Sequence, residues 1–295
     1  MMLRPDLALV LAPNASPMTG HGTNTYLLGQ ETLAVIDPGP DDPDHLAALL
    51  AAIDGRKVTH LLVTHSHLDH APLARPLQTI TGAPIFAFGD SDAGKSAIMQ
   101  QLAAAGVAGG GEGIDRDFSP DMHVQDGQDI GGGWGQVTAL HTPGHIGNHL
   151  CFVWGDAVFT GDHVMGWASS LVSPPDGDLT DFMASCRRLQ RVPAQVYFPG
   201  HGAPITDPAA RLTWLIHHRT NREAQILAAL SDVPLPIAEI TRKIYTDVPK
   251  GLLAAAERNV FAHLVDLYTR RQVTATPLLS TTATFALIPQ KTPSP

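Results

Sequence analysis

Four side chains able to hold a metal ion fall within six residues, His65-Ser66-His67-Leu68-Asp69-His70. They follow an apolar run, 58–64, that reads as a β-strand. In a turn just past a strand end, the alternate positions His65 and His67 can face one ion. Asp69 and His70 then turn toward a second. Imidazole and carboxylate donors suit zinc, with other divalent first-row metals open. Burying four such groups without a metal would be costly. Later strand ends offer more donors: His145 in Thr142-Pro143-Gly144-His145, Asp162 in Thr160-Gly161-Asp162-His163, and His201 in Pro199-Gly200-His201-Gly202. Two divalent ions about 3.5–4 Å apart can share a hydroxide at neutral pH, and that hydroxide can attack a carbonyl carbon or a phosphorus. The chemistry expected of this set is hydrolysis, with Asp69 and Asp162 as its catalytic carboxylates.

The chain has 15 histidines, so each remaining one has to be weighed. His141, His149 and His163 stand beside the donor turns and read as supports rather than ligands. His163 is the one of these expected to touch substrate, and Ser169 and Ser170 are expected to line the mouth of the site. His21 sits in a Gly-rich turn, and His217, His218 and His263 fall on helices of the tail with structural roles.

These residues need elements to position them. Strands are expected at 33–36, 58–64, 84–88, 137–140 and 195–198, and at 150–154 and 157–160 joined by Gly155-Asp156, a two-residue hairpin signature. The histidines and aspartates repeatedly lie just past the C-terminal ends of these strands, where the loops of a sheet converge on one edge. After about residue 205 the pattern changes. Asp207-Pro208 opens a long helix, with Asp as cap and Pro in the first turn, and Leu212, Leu215, Ile216, Ile226 and Leu230 form its apolar stripe. A second helix is expected at 237–245, a chain break at 247–249, a third helix at 252–270, and a β-pair at 273–276 and 284–287. Three helices and a hairpin make the order of a winged-helix module. The expected division is a catalytic domain at 1–208 and a winged-helix-like domain at 209–295. Residues 109–113 read as a Gly-rich surface loop and 289–295 as a frayed tail.

With these motifs in hand, the chain resembles the metallo-β-lactamase superfamily. The resemblance rests on Thr64 to His70, His145, Asp162 and His201, in that order, and spans roughly residues 5–205. It implies a mixed α/β (α+β) fold, a four-layer αβ/βα sandwich with two metals at one edge of its sheets. It assigns His65, His67 and His145 to the first metal, Asp69, His70 and His201 to the second, and Asp162 to both. It gives Asp37, at an earlier strand end, a supporting role. Asp162 stands where the common zinc β-lactamases have Cys, and His67 where the di-iron oxygen-reducing relatives have Glu. Both departures point away from those reactions, and the full set of seven ligands points away from the mononuclear persulfide dioxygenases. Within the superfamily the chain looks most like the lactamase-β-like branch that includes single-strand-specific endoribonucleases. That likeness is carried by Asp162 to Trp167 running into Pro174 to Asp178, by His217-His218-Arg219, and by the stretch 255–264. The branch has a winged-helix-like C-terminal domain.

One motif points elsewhere. Gly89-Asp90-Ser91-Asp92-Ala93-Gly94-Lys95-Ser96 fits the phosphate-loop spacing. Asp90 and Asp92 would repel the phosphates such a loop cradles, so it is read as a connection near the metal site. Composition narrows the setting. No apolar run approaches 18 residues, so no membrane span is expected. Residues 7–12 read as a strand rather than a leader. Cys151 and Cys186 read as buried free thiols, which fits a reducing compartment, the cytoplasm. Residues 1–208 carry 9 Lys/Arg against 22 Asp/Glu, net −13, and residues 209–295 carry 10 against 6, net +4. Bound cations would offset part of the acidic excess, and the basic tail could face an anionic partner or mediate a homodimer. Three functions follow: a nuclease on single-stranded RNA, a small-molecule ester or thioester hydrolase resembling glyoxalase II, or a regulatory protein with a secondary metal site.

Overall fold

A computed structural model describes residues 1–110, 113–246 and 249–289. The loop expected at 109–113, the break at 247–249 and the tail at 289–295 fall in part outside them. Two sheets face each other. The first runs in chain order through β1 (Met2–Arg4), β2 (Leu7–Leu11), β3 (Asn24–Leu28), β4 (Thr32–Ile36), β5 (Lys57–Leu62), β6 (Ile85–Ala87) and β7 (Met122–His123). Its last three pairings, from β4 to β7, are parallel. The second holds β8 (Asp129–Gly132), β9 (Gly135–His141), β10 (Leu150–Trp154), β11 (Ala157–Gly161) and β12 (Val196–Pro199) in reverse order, with β11 and β12 parallel.

The apolar run of β4 is buried on both faces, and its alternation separates two layers. Ala34 and Ile36 point into the core between the sheets, whereas Leu33 and Val35 pack on α1 (Pro43–Ile53) and α2 (Ala74–Thr81). Between the sheets Tyr26 meets Phe159 edge-on at 5.1 Å, and Phe198 lies 5.4 Å from Phe159. Burial of each ring stabilises the fold by about 2–3 kcal/mol. This packing fixes β11 and β12, the strands that end at Asp162 and His201. After the short α3 (Ala97–Ala104), the helix α4 (Leu179–Leu189) and the first half of α5 (Pro208–Ala229) cover the outer face of the second sheet through Phe182, Cys186, Leu212 and Leu215. The order of layers is helix, sheet, sheet, helix.

The second half of α5 enters another core with α6 (Ile237–Ile244), α7 (Leu253–Thr269) and a small sheet of β13 (Leu235–Pro236), β14 (Val273–Thr276) and β15 (Thr284–Leu287). Ile226, Ile240, Val260, Leu264 and Phe285 fill it, joined by Met99 and Leu102 from α3. The helix opening at Asp207-Pro208 forms as expected, with the Asp207 carboxylate accepting from Ala210 N at 3.0 Å. The boundary expected at 208/209 therefore meets a helix shared by two cores. No helix among the described residues is long and apolar enough to cross a membrane.

Candidate metal centre

Strand β5 ends at Leu62, two residues short of the expected Thr64. The reason is local: Thr64 N donates to Asp37 Oδ1 at 2.7 Å, and Thr64 Oγ1 to Asp37 Oδ2 at 2.7 Å. Asp37 follows β4 at a φ of +50°, a left-handed conformation uncommon outside glycine. Its carboxylate also accepts from His70 Nδ1 at 2.9 Å. One carboxylate thus aligns the turn holding His65 and the ring of His70.

The seven expected ligands converge in two groups. His65, His67, His145 and Asp162 form one; Asp69, His70, Asp162 and His201 form the other; within each, the donor atoms lie within 4.8 Å of one another. In the first, His67 Nδ1 stands 3.0 Å from both His65 Nε2 and His145 Nε2. In the second, His201 Nε2 lies 3.1 Å from Asp69 Oδ2 and 3.3 Å from Asp162 Oδ2, and His70 Nε2 lies 3.3 Å from Asp162 Oδ1. All seven side chains are buried.

The outer ring nitrogens set the tautomers. His145 Nδ1 donates to Leu171 O at 2.7 Å and His201 Nδ1 to Gly22 O at 3.1 Å. His65 Nδ1 donates to Thr64 Oγ1 at 2.9 Å, because that hydroxyl's own hydrogen is committed to Asp37. In their neutral forms these rings aim Nε2 lone pairs at common points. Lone pairs facing one another at such distances repel unless a cation lies between them. Asp69 Oδ1 and Asp162 Oδ1 are also buried without a hydrogen-bond partner, a costly state for a carboxylate that a metal ion would relieve. The His/Asp clusters are therefore suited to a metal pair.

Burial, reinforced by the neighbouring imidazoles, holds His65 well below the usual histidine range and His67 down at about 3; burial also lowers His145. These three stay neutral, the form that binds metal. Around His70 burial opposes the charge, but Asp69, Asp162 and Asp37 outweigh it and raise the pKa well above the usual value. Asp162 does the same for His201, pushing it to about 10 against burial. Burial alone would raise Asp69 and Asp162, yet the facing imidazoles hold both below the usual carboxylate range.

The other expected residues lie differently. His163 is not at the opening. It packs 4.5 Å from the Phe182 ring with Nε2 3.5 Å from Cys186 Sγ, because it follows Asp162 on the side of the chain facing α4. Ser170 also turns inward, its hydroxyl donating to the carbonyls of Asp162 and His163, and Ser169 is half-buried beside it. The opening is a cavity of about 30 Å³ over His67, His145 and Asp162, lined by Met18, Met165, Leu171, Ser173 and Asp176. His141 stacks on Phe88 at 3.7 Å, and His149 Nδ1 bonds Thr142 Oγ1 at 2.9 Å. In the phosphate-loop-like stretch the lysine is taken up by carboxylates. Lys95 Nζ pairs with Asp92 at 2.7 Å and with Asp176 at 3.3 Å.

Some positioning residues carried no signal in the sequence. Asn24 Nδ2 donates to Pro199 O and Gly202 O at 2.9 Å, and Tyr26 Oη to Pro199 O at 2.7 Å, locking the turn of His201. Asn148 Nδ2 ties Ser66 Oγ to Asp90 O, at 2.9 Å each.

Comparison with known proteins agrees with this geometry. Residues 18–201 match the model of the metallo-beta-lactamase superfamily, and residues 237–277 that of the beta-lactamase associated winged helix domain. The chain is 30% identical over 273 residues to a beta-lactamase-like protein 2 homolog of Drosophila melanogaster, covering 88% of this chain and 86% of that protein. It is 32% identical over 242 residues to an atrochrysone carboxyl ACP thioesterase of Aspergillus fumigatus, covering 79% and 67%. A metallo-beta-lactamase family protein of Thermus thermophilus has the same fold, with a TM-score of 0.78 at 22% identity over 97% of this chain and 100% of that one. A protein solved in a di-iron-bound form is 27% identical with a TM-score of 0.51, over 70% and 98%. With the match to the superfamily's model spanning well over half its length, the chain belongs to the metallo-β-lactamase superfamily of hydrolases.

Proposed function

We propose that this protein hydrolyses thioesters of apolar acyl groups, with two divalent first-row ions, zinc foremost, held by His65, His67, His145, Asp162 and by Asp69, His70, His201, Asp162. When bound, such a pair supplies Lewis acidity and makes water acidic enough to act as a nucleophile near neutral pH. Asp69 and Asp162 stay ionised, and Asp69 Oδ1, buried without a hydrogen-bond partner, can accept from entering water. Met18, Met165 and Leu171 make the mouth of the site apolar, which suits the first carbons of an acyl group better than a charged one.

The observation that carries this reading is the charge at the opening. No Lys or Arg lines it, and its one charged lining residue beyond the ligand set is Asp176. The nearby Lys95 is committed to two carboxylates. A polyanion such as RNA needs uncommitted cations along its path. In the tail, Arg219 is buried, Arg222 lies on Tyr245 at 3.9 Å, and Arg270 pairs with Glu223 and Asp266 at 2.6 Å. These three arginines are thus taken up by contacts within the protein. The thioesterase named among the relatives supports the same choice, and the di-iron protein makes iron a second metal to try. The test is a parallel assay on acyl-pantetheine thioesters of increasing chain length and on labelled single-stranded RNA, with Asp162→Ala as blank. Turnover rising with acyl length and no RNA cleavage is the expected result. RNA cleavage without thioester turnover overturns the reading.

A further inference from the structure

Arg219 lies on α5, far from the ligands in sequence, and is 2% exposed. Among the described residues no carboxylate pairs with it. Its guanidinium faces the Phe182 ring at 5.2 Å and donates to two acceptors, Ser170 O and, at 2.8 Å, Asn259 Oδ1. Its Nε has no partner. Burying a guanidinium without a countercharge is expensive, so this cation is poorly explained as mere filling.

Its contacts lead to the ligands. Asn259, on α7, also accepts from Val172 N at 3.2 Å. Two residues of the C-terminal core therefore hold the backbone of segment 170–172 at both ends. That segment acts on both metal groups. Ser170 Oγ donates to the Asp162 carbonyl, and Leu171 O accepts from His145 Nδ1 at 2.7 Å. His145 belongs to the first group and Asp162 to both. We infer that Arg219 and Asn259 are positioning residues for the metal centre, acting through segment 170–172, and that the winged-helix module is thereby a structural part of that centre. The inference rests on the metal-pair reading of the seven ligands.

Cobalt titration of the metal-free full-length protein tests it, read by the d–d absorption spectrum and by bound stoichiometry. Arg219→Met and Asn259→Leu are expected to weaken cobalt binding about 10–100-fold, the usual effect of losing a group that orients a ligand. They should also change the spectrum, and lower kcat more than KM. Asn259→Asp keeps the acceptor and is expected to restore wild-type binding. Thr180→Val removes a different bond between α4 and α7, Thr180 Oγ1 to Asp266 Oδ1 at 2.6 Å, and should leave the spectrum unchanged. If Arg219→Met does not fold, the Asn259 pair decides. Wild-type spectrum and affinity in Arg219→Met or in Asn259→Leu overturn the inference. No cobalt binding by the wild type overturns the metal reading itself.

Discussion

Asp37 shows how much one side chain can decide. Its carboxylate accepts from Thr64 N, Thr64 Oγ1 and His70 Nδ1, and so aligns parts of both metal groups. Asp37→Ala is expected to lower metal affinity about 10–100-fold, measured by competition with a chromophoric chelator. Unchanged metal retention would show that the ligands hold their own geometry. The ligands themselves were legible because four of them crowd into one turn and the others end strands. Asp37, at a strand end, was legible through the family resemblance. Asn24 was not, because its bond to Pro199 O joins residues 175 positions apart, and no local spacing encodes that. His163 and Ser170 were assigned to the opening from nearness in sequence, whereas the turn after Asp162 sends both inward.

Among the elements, the turn between β9 and β10 is tightly constrained. Gly144 has a φ of +141°, and a Cβ there would come within 2.3 Å of the Phe182 Cα. Gly144→Ala must push this turn, with His145, off α4. It is expected to cost more than 1 kcal/mol, at least about twice the cost of Gly155→Ala, whose Cβ would meet nothing within 4 Å and whose φ of +56° carries only the ordinary left-handed penalty. Thermal unfolding of the two variants checks this, and equal losses would mean that the contact with α4 relaxes freely. The winged-helix pair at 273–276 and 284–287 and the start of α5 were readable from period and cap. The helix α1 went unread, although Asp42-Pro43 repeats the signature of Asp207-Pro208 and Leu46, Leu49 and Ile53 fall at helical spacing. Strand β3 was missed because all five of its residues are buried, including the polar Asn24 and Thr25, so no alternation marks it.

For the whole molecule, the junction between the halves carries a titratable group. Burial, aided by the charge of Asp178, pushes the half-buried Asp181 from 3.8 up to about 6. The folded state therefore favours its protonated form. Asp181 contributes stability that is fully present below about pH 4 and lost as the pH rises through about 6. Asp181→Asn is expected to raise Tm more at pH 7.5 than at pH 4. A Tm difference independent of pH would remove Asp181 from the account. The layered architecture was legible through the family resemblance. The joining of the halves was not, because α5 serves two cores and Met99 and Leu102 of α3 cross into the second.

That shared helix bears on how such a chain can change over evolutionary time. A cut after residue 208 would strip Leu212 and Leu215 from the back of the second sheet and Arg219 from Ser170. The tail is thus no detachable cassette to be traded between enzymes like a bead on a string. A genetic exchange that brings in a foreign tail must bring a matching back for the sheet, or leave an apolar wall bare to water. Lineages of this architecture are expected to inherit both halves together, and hybrids joined within α5 should survive better than hybrids joined ahead of it.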